Sequence, residues 1–132
     1  MISTRGRYAL RVMIDLAEHD SGRPVPMSKI SERQEISRKY LEIIGKDLVT
    51  AGMIKGVSGK GGGYQLCRKP SEYTVGEILE TMEGTLAPVA CLECGAKKCA
   101  REEICKTLPM WKEFDSMIHD YFYSKTLADL VG

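Results

Sequence analysis

The sequence, 132 residues long, has no extended hydrophobic run. A bilayer-spanning helix needs about 18 or more consecutive apolar residues, so a role inside a membrane is not expected. No apolar N-terminal stretch resembles a secretory signal. That predicts a cytoplasmic location, where structural disulfides are uncommon. No internal repeat is visible. Histidine is scarce: His19 and His119 are the only two. Both fall on predicted helices and read as surface or packing residues, with His119 a minor ligand candidate. No nucleophile, base and orienting group form a catalytic constellation. An excess of one charge is also missing, because the formal net charge is only +1.

That near-neutral total hides a division. Residues 1–70 carry 13 basic and 7 acidic side chains, and residues 71–132 carry 6 and 11. A basic first half suits a polyanionic partner, and nucleic acid is the first candidate. The plainer reading is an ordinary solvated surface. The length suits one domain with an appended element. The expected division falls at residue 70, between a basic region over 1–70 and an acidic one over 71–132.

Helical periodicity dominates the pattern. In "TRGRYALRVMIDLAEHD" the residues Tyr8, Ala9, Val12, Met13, Leu16 and Ala17 recur on one apolar face, and Arg11 and Asp15 are expected on the polar face. A short helix is predicted over Met27 to Arg33, with Pro26 and Ser28 near its start. "QEI" forms a tight connection. Ser37 then caps a second helix carrying Leu41, Ile44 and Leu48, which Gly52 stops. Short strands are expected at Met53–Val57 and Tyr64–Cys67, joined by "SGKGGG", whose glycines suit a hairpin tip. "TVGEILETMEG" predicts a helix with Val75, Ile78, Leu79 and Met82 inward. A long helix follows the cysteines, with Pro109 tolerated in its first turn. Thr126 and Asp129 are placed to cap a short last helix.

This order predicts a mainly helical α+β fold, a winged helix-turn-helix with a two-stranded wing. In such modules the second helix of the pair enters the major groove. Its outward residues would be Ser37, Arg38, Lys39, Tyr40 and Glu42, whose groups can serve phosphates, guanine edges, thymine methyls or cytosine amines. Lys60 on the wing tip, and Arg5 and Arg7 at the start of the first helix, are further phosphate candidates. For each, a solvated or packing role is the alternative. In the long helix Met110, Trp111, Phe114, Met117, Ile118, Tyr121 and Phe122 cover a broad stripe. That surface suits a second copy of the chain, giving a two-fold homodimer on a pseudo-palindromic duplex.

Of five cysteines, four lie in "CLECGAKKCAREEIC", spaced Cys91-x2-Cys94-x4-Cys99-x5-Cys105. Thiolates so close together can converge on one metal centre. An iron–sulfur cluster, zinc, or a thiol switch would each fit. Lys97, Lys98, Arg101 and Lys106 would lower thiol pKa values and offset cluster charge. Cys67, on a wing strand, is expected to be a small buried hydrophobe. A small redox enzyme using Cys91 and Cys94 is the reading from another class.

Three pieces, "TRGRYALRVMIDLA", "SRKYLEIIGKDLVTAGMIKGVSGKGGGYQL" and "CAREEICKTLPMW", resemble the IscR/NsrR/CymR-type family of bacterial winged-helix regulators. The resemblance implies a homodimeric transcription factor whose long C-terminal helix crosses to the partner. It also implies that three cysteines before that helix, here Cys91, Cys99 and Cys105, hold an iron–sulfur cluster whose state sets promoter choice. Some members carry no cluster. The chain departs from the pattern in places. The gap from Cys91 to Cys99 is seven residues rather than five, with Cys94 inside it. Leu108 stands where IscR-like members have a histidine ligand, and Arg7 where nitric-oxide sensors have an aspartate. Ser58 replaces a wing arginine. Cys94 is the natural fourth ligand, with both 2Fe–2S and 4Fe–4S clusters open and the first preferred.

Overall fold

A computed structural model describes residues 2–92 and 105–131. Helix α1 spans Thr4–Glu18, α2 Met27–Gln34 and α3 Arg38–Thr50; strands β1 (Ile54–Val57) and β2 (Gly63–Leu66) follow, then α4 (Val75–Glu83), α5 (Leu108–Ser124) and α6 (Leu127–Leu130). The predicted α+β winged helix-turn-helix is what the chain forms.

Local chemistry explains most element boundaries. The Ser3 hydroxyl accepts from the Gly6 amide at 3.3 Å and donates to Glu83 Oε1 at 2.7 Å, so the start of α1 is tied to the end of α4. Ser37 caps α3 as expected, accepting from the Tyr40 amide at 3.2 Å. The α2–α3 turn is tight because Glu35 takes a left-handed conformation, φ 53°, which costs a non-glycine residue some strain. Thr74 and Glu77 form a capping box on α4, and Thr126 and Asp129 form the expected one on α6.

The wing pairs Ile54 with Leu66 and Val57 with Gly63 in antiparallel register. A further segment joins it that the sequence pattern does not announce. Val25 exchanges two backbone hydrogen bonds with Tyr64, at 2.8 and 2.9 Å, and so anchors the wing to the entry of α2. Gly63, with φ 148°, is required at this junction, because a side chain there would strike the Val25 carbonyl.

The main core joins Ala9, Val12, Met13 and Leu16 of α1 to Ile30, Leu41, Ile44 and Leu48 of the helix pair, Ile54 of the wing, and Ile78, Met82 and Leu127 beyond it. It thus draws on both halves of the chain. Fully buried Tyr73 sits between them: its hydroxyl donates to the Met53 carbonyl at 2.6 Å and accepts from the Cys67 and Arg68 amides at 3.0 and 3.1 Å. Burial first, opposed by those two amides, leaves its phenol pKa raised. A second cluster of Val75, Leu79 and Leu86 takes up Ile118 and Phe122 of α5. Gly76 provides the space in α4 for the Tyr123 ring. His119 packs at the same joint, with Nε2 3.3 Å from Glu80 Oε1 and its ring stacked on Tyr123.

Two expectations are corrected. Asp15 is fully buried, not on a polar face. Arg33 reaches it from α2 with two hydrogen bonds of 2.9 and 2.8 Å, and Gln34 adds a third at 3.0 Å, so the carboxylate is satisfied inside. Arg11 turns instead to the backbone carbonyl of Gln34 and lies over the Tyr8 ring. Cys67 is exposed, not buried. β2 has already ended at Leu66, and the Cys67 amide is held by Tyr73 while its thiol stays at the surface.

Candidate functional site

The face of α3 opposite Leu41, Ile44 and Leu48 presents Arg38, Lys39 and Glu42, all exposed. Lys46 lies on the same face, two turns on from Lys39. It escaped the sequence reading, although seven-residue spacing from Lys39 was the signal for it. Ser37 uses one lone pair as a cap, and among the hydrogen bonds of the described residues its hydroxyl donates none. Tyr40 is different. Its ring is half-buried and meets the Tyr8 ring edge-on at 5.6 Å, so it fastens the first turn of α3 to α1.

The basic residues around α3 are held to different degrees. Arg5 donates to Asp47 of α3 at 2.6 Å, which fixes the guanidinium beside the helix. Arg7 is exposed and touches only its own turn, at 3.3 Å from Thr4 Oγ1, among the hydrogen bonds of the described residues. Lys60 is exposed between Gly59 and Gly61, both with positive φ, at the tip of the wing. Between wing, α2 and α3 runs an open cleft of about 470 Å³, lined by Ser28, Arg38, Ser58, Gly59 and Gly62. Tyr64 also lines it, and its ring packs against Gly45 of α3, where any side chain would collide with it. Burial, then the nearby Glu42 charge, raises the Tyr64 pKa and keeps the phenol neutral. The cleft combines a guanidinium, hydroxyls and side-chain-free backbone, which is suitable chemistry for a phosphodiester.

Of the cysteine segment, Cys91 lies exposed in a short 3₁₀ turn, Ala90–Leu92. Cys105 lies half-buried three residues before α5, its Sγ 3.4 Å from Thr107 Oγ1. Cys94 and Cys99, with Lys97, Lys98 and Arg101, lie outside the described residues. Among the described residues no three histidine, cysteine or carboxylate side chains come together as a metal site.

The predicted dimer stripe divides in two. Ile118 and Phe122 pack within their own chain, and Trp111 is half-buried. Met110, Phe114, Met117 and Tyr121 form the outer row, exposed by 52, 39, 60 and 60%.

A helix seated by a shorter one and flanked by a glycine-tipped hairpin makes this a DNA-binding protein of the winged helix-turn-helix class. The chain belongs to the Rrf2 family, described as an iron-dependent transcriptional regulator, whose model matches residues 2–132. It is 38% identical over 130 residues to protein rrf2 of Nitratidesulfovibrio vulgaris, covering 98% of this chain and 86% of that one. With the HTH-type transcriptional regulator IscR of Aliivibrio salmonicida it shares 35% identity over 98% of this chain and 76% of the other. The solved structure of CymR, the global cysteine regulator of B. subtilis, superposes with a TM-score of 0.83 at 33% identity, over 98% of this chain and 95% of that one. The chain is therefore a transcriptional regulator and not an enzyme, and the small redox enzyme is set aside. No helix among the described residues is long and apolar enough to cross a membrane.

Proposed function

We propose that this regulator acts in the cytoplasm as a homodimer that grips a pseudo-palindromic duplex with two copies of α3. An iron–sulfur cluster held by Cys91, Cys94, Cys99 and Cys105 then sets the strength of that grip. Arg38 and Lys39 serve phosphates or guanine edges, and Glu42 accepts from a cytosine amine. Ser37, Lys60, Arg5 and Arg7 bind the sugar–phosphate backbone. Tyr40 holds α3 in place from behind. The outer row of α5 closes the dimer and sets the distance between the two reading helices.

The observation that carries the cluster reading is where the described cysteines stand. Cys91 and Cys105 bracket the segment that feeds α5, with the exposed Cys91 thiol open to a ligand. Two further thiols lie between them in sequence. Such a soft, all-sulfur donor set fits an iron–sulfur cluster. The family's description as iron-dependent, and the likeness to proteins called IscR, support the same reading. When bound, the cluster supplies a redox-sensitive cross-link among these thiols. The chain's own residues relay its effect. Cysteine ligation next to the start of α5 would act on that helix, whose Tyr123 sits in the Gly76 notch of α4. Glu83 at the end of α4 holds the start of α1, and Arg5 and Tyr8 of α1 hold α3.

Protein purified without air should be brown, with bound iron and acid-labile sulfide. Single Cys→Ala substitutions at 91, 99 and 105 should bleach it and change promoter affinity by about 5- to 150-fold, the usual range of allosteric coupling. Iron-free protein that binds its promoter as the loaded form does would defeat the reading. A second reading is control by the thiols themselves or by a structural zinc. Colourless protein with stoichiometric zinc, or affinity that follows thiol oxidation without iron, would select it.

A further inference from the structure

One large apolar side chain lies among the polar residues on the outer face of α3. Ile43 is 47% exposed in the second turn of the helix. Lys39 and Lys46, one turn to either side, are exposed, as is the adjacent Glu42. Among the described residues Ile43 belongs to neither hydrophobic cluster, since Leu41, Ile44 and Leu48 supply the buried face. An isolated exposed isoleucine is unremarkable on most surfaces. Here it stands within the cationic patch that meets the duplex, where a polar residue would serve solvation better.

The floor of the major groove offers hydrogen-bonding groups at every base pair, but one apolar group only, the C5-methyl of thymine. A β-branched side chain on a helix has one strongly preferred rotamer. Isoleucine at this position therefore presents a stiff methyl surface that cannot hydrogen-bond to any base edge. It gains from contact with the thymine methyl, and it desolvates the amine or carbonyl of other bases without repayment. Flanking lysines keep the helix close to the phosphates on either side, which holds that contact in place.

We infer that Ile43 is a specificity-determining residue, packing on the methyl group of one thymine in each half-site. This rests on the proposal that α3 reads duplex DNA.

The test begins by selecting duplexes from a random library with the wild-type dimer. Each thymine of the enriched site is then replaced, one at a time, by deoxyuridine, which differs only in lacking the methyl. Wild-type affinity should fall about fourfold at one thymine per half-site, the value of one buried methyl group. Ile43→Ala should show no loss at that position while melting at the same temperature, because the side chain is exposed. Ile43→Gln should select adenine in place of that thymine, since glutamine pairs with adenine N6 and N7. A uniform deoxyuridine scan, or an equal loss in Ile43→Ala, overturns the inference while leaving DNA reading by α3 intact. Failure of the library to enrich any duplex defeats the DNA-reading proposal itself, and this inference with it.

Discussion

Asp15 is the one charged side chain fully buried among the described residues, and it shows how a few contacts can govern stability. Burial alone would raise its pKa, but the Arg33 and Gln34 hydrogen bonds and the Arg33 charge outweigh this and hold it below the ordinary aspartate range. A carboxylate with a depressed folded-state pKa contributes stability above its unfolded value, and that contribution is lost as pH falls through the folded one. Glu77 acts in the same sense: its bond to Arg68, against some burial, holds its pKa below the ordinary glutamate range. Thermal melts should therefore show stability steady above about pH 5 and falling below pH 4. Arg33→Ala strands the Asp15 carboxylate and should cost about 2–3 kcal/mol by chemical denaturation, somewhat less than a wholly buried pair because Arg33 is partly exposed. It should also flatten the acid limb of the pH profile. Gly45→Ala tests the close approach of α3 and wing. The added methyl meets the Tyr64 ring, and the substitution should cost about 1–2 kcal/mol and weaken DNA binding. The buried Asp15 was not legible in the sequence. Arg11 stands one turn before it, and only the placement of α2 shows that Arg33 is the true partner. The Ser37, Thr126 and Asp129 caps were legible, because capping depends on residues three apart.

Among the elements, α3 is the one proposed to enter the groove. Arg38→Ala and Lys39→Ala should weaken binding across all sequences if the two serve phosphates. Each would then lower the slope of log affinity against log salt by about one. A change confined to one base position would identify a guanine contact instead. The helices were readable because their apolar periodicity and their end signals both lie within one segment. All four residues expected inward on α4, namely Val75, Ile78, Leu79 and Met82, are buried. The wing was readable from its glycines, yet its third partner, Val25, was not. A single bridging residue leaves no periodic trace, and its pairing spans almost forty positions of chain. Tyr73 was missed for the same reason: its three hydrogen bonds go to Met53, Cys67 and Arg68, all outside its own element.

For the molecule as a whole, the proposed homodimer depends on the outer row of α5. Met117→Glu or Tyr121→Glu places a carboxylate in the most exposed part of that row. Either should shift the protein from dimer to monomer in analytical ultracentrifugation, with an unchanged circular dichroism spectrum, and DNA affinity should fall with the loss of the second reading helix. The sequence stripe was too broad to show this. Periodicity marks Ile118 and Phe122 as apolar along with Met117 and Tyr121, and only the position of α4 separates the pair packed inside from the pair left outside.

By itself the sequence determined the kinds of parts and their order. It specified the helix pair, the glycine-tipped wing, the cysteine run and the long last helix, since periodicity, caps and turn chemistry act over a few neighbouring residues. The tertiary structure alone decided which of those residues face one another. It buried Asp15 against Arg33, left Cys67 in solvent, turned Tyr40 back onto Tyr8, and set Ile43 beside Lys39 and Lys46 on an open face. Each of these outcomes depends on how whole elements pack, and packing is settled by surfaces that lie far apart along the chain.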